Sequence, residues 1–78
     1  MIGKWRSPRH DYIYRRDGTW SMLPVEPDTT GGTWRIEGNQ HVETNVLGTF
    51  RYTILLLTAK DFVETDGQIV FYRKRLSK

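Results

Sequence analysis

Acid–base or metal chemistry near neutral pH would have to come from His10, His41 and the nine acidic residues of this 78-residue chain, because it contains no cysteine. His41 stands two residues before Glu43. That spacing puts both side chains on one face of a strand, where they would act together as an acid–base or ligand-orienting pair. His10 directly precedes Asp11, and neighbours in a strand point to opposite faces, so it reads as part of a solvated turn. Two histidines without helical or short-loop ligand spacing argue against a metal site. No nucleophile elbow, phosphate loop or dinucleotide fingerprint occurs, so no catalytic residue and no cofactor is expected.

Whether His41 and Glu43 face inward depends on the turn at Gly38-Asn39. A two-residue turn pairs Ile36 with His41 and Trp34 with Glu43, carrying both groups to the face of Trp34. A three-residue loop that includes Gln40 pairs Ile36 with Val42 instead, burying Val42, Thr44 and Val46. The second register is favoured because an unpaired buried charge costs several kcal/mol. The first would make His41 and Glu43 the acid–base candidates inside the fold.

The elements that must position these residues are strands. Gly, Pro, Thr and Asn punctuate the chain every several residues, with β-branched and aromatic residues between them. Strands are expected near Gly3 to Ser7, Asp11 to Arg15, Thr19 to Leu23, Gly32 to Glu37, Gln40 to Val46, Phe50 to Thr58, Asp61 to Thr65 and Gln68 to Arg75. The expected fold is all-β: a single antiparallel up-and-down meander of about eight short strands, closed or nearly closed into a small barrel. One domain spans residues 1–78. A three-residue loop at Arg16-Asp17-Gly18 pairs Tyr14 with Trp20 and puts Tyr12, Tyr14, Trp20 and Met22 on one face. Asp66-Gly67 repeats that turn chemistry without choosing between an inward Phe62/Phe71 pair and an inward Val63/Val70 pair. Pro24, Pro27 and Asp28 mark the one irregular connection, Val25 to Thr30, as the lid or rim of any pocket.

A chain this short buries only about 60–65% of the surface its unfolded form exposes. The core must therefore be rich in aromatic residues, and three Trp, four Tyr and three Phe are available for it. No apolar run approaches a transmembrane length, and the N-terminus lacks the features of a signal peptide. The expected compartment is the cytoplasm, or the periplasm or exterior if a leader has been removed. A formal charge of +3 favours acidic partners only weakly. Single-stranded nucleic acid could stack on exposed aromatics beside Arg15, Arg16, Arg51, Arg73, Lys74 and Arg75, but the aromatics fall on the inner face, which disfavours that reading.

Gly3-Lys4-Trp5 opening the first strand, Asp17-Gly18-Thr19 after an aromatic second strand, Gly32-Thr33-Trp34-Arg35-Ile36, Tyr52-Thr53-Ile54 and the final Phe71-Tyr72-Arg73-Lys74-Arg75 together resemble the small bacterial lipocalin-like, or calycin-type, β-barrel domains. The resemblance implies that Trp5 plugs one end of the barrel beneath Arg73 or Arg75. It also implies a binding module for a small apolar or amphipathic molecule. The chain is about half the length of a typical lipocalin, so side chains nearly fill the interior and any ligand is small or sits in the mouth. The expected ligand-binding residues are Tyr12, Tyr14, Trp20, Trp34 and Tyr52, with His41 and Glu43 if they turn inward. The alternative is a structural or interaction domain. Phe50, Tyr52, Ile54 and Leu56 alternate inward, which leaves Leu55 and Leu57 as an apolar outer face for a homo-oligomer.

Overall fold

The computed structural model describes residues 1–23 and 31–77. The β-branched and aromatic segments form eight strands: β1 (Gly3–Arg6), β2 (Asp11–Tyr14), β3 (Thr19–Leu23), β4 (Gly31–Glu37), β5 (Gln40–Asn45), β6 (Gly48–Leu57), β7 (Asp61–Thr65) and β8 (Val70–Ser77). Each pairs antiparallel with the next, and β8 returns to β1, so the expected up-and-down meander closes into a barrel. Strand limits agree with the sequence reading to within two residues. The expected lid, Pro24 to Thr30, lies outside the described residues.

Turn chemistry sets which residues face inward. Tyr14 pairs with Trp20 across the Arg16-Asp17-Gly18 loop, as expected. Asp17 Oδ1 holds that loop by accepting from the Thr19 amide and hydroxyl, at 2.9 and 2.6 Å. At Gly38-Asn39 the favoured three-residue loop does not form. Ile36 pairs with His41 and Trp34 with Glu43, so the turn has two residues. Gly38 has φ +62° and is the first loop residue, which a glycine-led tight hairpin turn requires. The burial penalty that argued against this register is offset by partners from other strands. The β7–β8 connection also resolves: Phe62 pairs with Arg73 and Glu64 with Phe71, putting all four on one face.

Trp5 closes one end of the barrel. It is fully buried and meets Phe62 edge to face at 5.6 Å between ring centroids. Arg75, and not Arg73, lies over its ring at 4.3 Å. The same guanidinium donates to the carbonyls of Ile2 (2.8 Å) and Ala59 (2.7 Å), while Trp5 Nε1 donates to Met1 O (2.8 Å). One stacked cation thus ties the chain start, the β6–β7 connection and the last strand together.

The outer face of β6 differs from the expected alternation because the register shifts between Ile54 and Leu56. A bulge moves every later residue to the other face. Leu56 therefore lies opposite outward-facing Val63, and Leu57 opposite buried Phe62. Leu56 thereby joins Leu55 on the outer face, while Leu57, although opposite Phe62, is still 39% exposed.

Candidate functional site: a polar interior beneath an aromatic mouth

Period-two alternation on β2, β5, β7 and β8 delivers Tyr14, His41, Glu43, Glu64 and Arg73 to the interior, where all five are buried. They form a continuous chain. Tyr14 donates its hydroxyl to Glu43 Oε1 at 2.5 Å, and His41 Nε2 approaches the same oxygen at 3.1 Å. On the other side of the ring, His41 Nδ1 lies 2.7 Å from Glu64 Oε1, and Arg73 Nη1 donates to Glu64 Oε2 at 2.6 Å. The Nε2 contact is off the direction of the ring N–H, so it acts as an ion pair and not as a directed hydrogen bond. A neutral imidazole would aim a lone pair at one carboxylate, whereas imidazolium faces both with N–H. Two cations then balance two carboxylates.

The charge states follow from these contacts. Burial opposes charge on His41, but its close contacts with the Glu43 and Glu64 carboxylates outweigh it and raise its pKa above the ordinary 6.5. Burial likewise opposes charge on Glu43, yet the adjoining His41, with help from Tyr14 and Arg73, holds its pKa below 4.5. Desolvation pushes the Tyr14 hydroxyl well above its usual range, so it remains a donor. Arg73 is desolvated too, but the acidic groups around it keep it charged.

Above this network the barrel is open. A pocket of about 340 Å³ lies between the ends of β2, β3, β5, β6 and β8. Tyr12, Trp20, Phe50, Tyr52 and Phe71 wall it, Met22 and Leu47 add apolar surface, and Glu43 and Arg73 contribute polar groups. Tyr52 stands edge to face on Phe71 at 5.7 Å, and the Arg73 guanidinium stacks over Tyr12 at 4.4 Å. Burial raises the Tyr52 hydroxyl to about 12, so this wall is neutral. Two N–H groups on pocket-lining residues, Trp20 Nε1 and Arg73 Nε, are buried without a partner. Such donors carry a desolvation penalty until an acceptor reaches them.

Of the residues expected from sequence, Tyr12, Trp20, Glu43 and Tyr52 line the pocket, while Tyr14, Trp34 and His41 do not. Tyr14 and His41 are sealed behind it, and Trp34 packs edge to face on both and donates Nε1 to Arg15 O. His41 presents its nitrogens to carboxylates on opposite sides of the ring, so the three groups do not converge on one point, and among the described residues no cluster suits a metal ion.

Sequence reasoning did not assign Glu64 or Arg73 to the interior. Their signal was phase: Glu64 is two residues from Phe62, and Arg73 two from Phe71. The basic residues do not gather on one face. Arg73 is internal, Arg75 covers Trp5, and Arg51 pairs with Glu37 at 3.0 Å. No family model, curated protein or solved structure matches the chain, so its function has to be read from this geometry.

Proposed function

We propose that the protein is a lipocalin-like binding module that takes a small apolar or amphipathic molecule in its open mouth, without catalysing a reaction on it. The observation that carries this reading is the aromatic-walled pocket of about 340 Å³ with Glu43 and Arg73 among its lining residues. Ligand pockets of this kind combine apolar walls with a few placed polar groups and span about 300–1,000 Å³, so the ligand belongs at the small end. The Trp5 and Arg75 stack at the closed end agrees with the lipocalin-like resemblance. His41 is enclosed and salt-bridged, which suits holding the pocket floor in shape better than exchanging protons with a bound molecule.

Fluorescence titration with the neutral probe 1-aminoanthracene tests the proposal. Saturable binding at one site per barrel is expected, weakened at least tenfold by Phe50→Glu, a change at a half-exposed rim position that leaves the core intact. Absence of saturable binding, or indifference to that substitution, would falsify it.

A second reading is favoured by one observation on the outside of the barrel. Leu55 and Leu56 are 55% and 47% exposed beside the outward side of β7 and β8, where Tyr72 is 49% exposed. We infer self-association through this face. Sedimentation equilibrium should then show a dimer that Leu55→Lys converts to monomer with unchanged stability. A wild-type protein that stays monomeric at high concentration would remove this reading.

A further inference from the structure

The barrel rim is uneven. The β1–β2 hairpin turns back at Ser7 to His10, where the Ser7 amide donates to His10 O at 2.9 Å. Lys74 makes the last rung between β8 and β1, with Arg6, yet β8 begins four residues earlier at Val70. Val70 to Arg73 therefore rise past the hairpin, paired on the β7 side alone. The step leaves a notch of about 360 Å³ between Pro8 and Arg9 on one side and Val70 and Tyr72 on the other. Its inner wall is His10, Tyr12, Phe71 and Arg73, four side chains that also border the mouth pocket. The two cavities adjoin across them.

The notch differs from the mouth pocket in charge. His10 and Arg73 line both, but the notch adds Arg9 and lacks the Glu43 carboxylate of the mouth. The neighbouring acidic groups each have a partner, and Glu64, opposite Phe71 on β7, is held by Arg73. Asp11 is held by Arg6 through two hydrogen bonds of 2.9 and 3.2 Å, and Asp61 accepts from the Tyr72 hydroxyl. Arg73 uses Nη1 on Glu64 but keeps a buried Nε–H without a partner. A concave, partly apolar surface with arginines and no acid attracts an anion, and guanidinium hydrogen bonds to a carboxylate are among the stronger ones.

Resting on the binding reading above, we propose that the ligand is an amphipathic carboxylate: its apolar part fills the aromatic mouth and its carboxylate lies in the notch between Arg9 and Arg73. The interior supplies a reason for this division. His41, Glu43, Glu64 and Arg73 balance one another, so a second anion placed deep in the barrel would upset the balance. A carboxylate at the notch meets that network only at its edge, where Arg73 is shared with Glu64, and gains a solvent-facing cation in Arg9.

Displacement of bound 1-aminoanthracene by decanoate and by decanol, which share an apolar chain, separates the two claims. Decanoate should displace the probe at a concentration about tenfold or more below decanol, the scale of one charge-assisted hydrogen bond. In Arg9→Gln the ratio should fall toward one with decanol unchanged, and added salt should reduce the wild-type ratio. Equal potency of acid and alcohol in the wild type, or a ratio untouched by Arg9→Gln, overturns the carboxylate assignment and leaves the mouth site standing. If neither the probe nor either competitor binds, both proposals fall.

Discussion

His41 holds two glutamates apart inside the barrel, and its removal tests how far the interior depends on it. In His41→Gln the carboxylates of Glu43 and Glu64 lose their shared cation, and breaking a buried ionic network this way costs about 3–5 kcal/mol. Urea denaturation should show the loss as a lowered midpoint. The same residue sets a pH dependence. Because the folded pKa of His41 is raised, its contribution is fully present below about 6.5 and is lost as pH rises through the folded value. Glu43 runs the other way: its folded pKa is lowered, so its contribution is present above about 4.5 and is lost as pH falls through the folded value. Tyr14, Glu43, Glu64 and Arg73 surround the switch, and Tyr14 and Arg73 hold one charge state through this range. Midpoints measured against pH should therefore peak between about 4.5 and 6.5, and a profile still rising above neutrality would contradict the assigned imidazolium.

At the scale of elements, β4 is constrained at its two ends for different reasons. At its start, a Cβ on Gly32 would stand 1.8 Å from Thr44 O on β5, a backbone atom that moves only if the strand moves. Gly32→Ala should destabilise the barrel by about 3 kcal/mol, the upper range of overpacking penalties. Just past its other end, Gly38 has open space around it, and an added methyl meets nothing within 4 Å. Its constraint is φ +62°, so Gly38→Ala should cost about 1–2 kcal/mol from the backbone alone. Thermal melts of the two variants side by side would show the larger loss for Gly32, and the reverse order would mean β4 enters the sheet differently.

Across the whole molecule, one end is sealed and the other open. Arg75→Ala removes the cation over Trp5 and the donors to Ile2 and Ala59, a loss of about 2 kcal/mol from stacking and hydrogen bonds. It lies at the closed end, so 1-aminoanthracene binding at the mouth should be unchanged while the melting temperature drops. Reduced binding in step with reduced stability would show that the ends are coupled through the core.

Local chemistry carried much of this in the sequence itself. Alternating apolar and polar residues and regular turn signals specified eight strands and the Tyr14 to Trp20 register, because each depends on residues near one another in the chain, while the Trp5 plug was implied by the lipocalin-like resemblance. Gly38-Asn39 shows where that reasoning stops. Burying His41 and Glu43 costs several kcal/mol only if they stand unpaired, and their partners Tyr14, Glu64 and Arg73 come from three other strands. Only closure of the barrel brings those strands together, and with them the cation that lets the carboxylates stay inside. The bulge after Ile54 and the notch past Arg6 belong to the same class, since both arise from mismatched lengths and registers of strands already paired. Sequence thus determined the strands and their barrel, while the tertiary structure decided which cation covers Trp5, which charges the barrel encloses and where its rim opens.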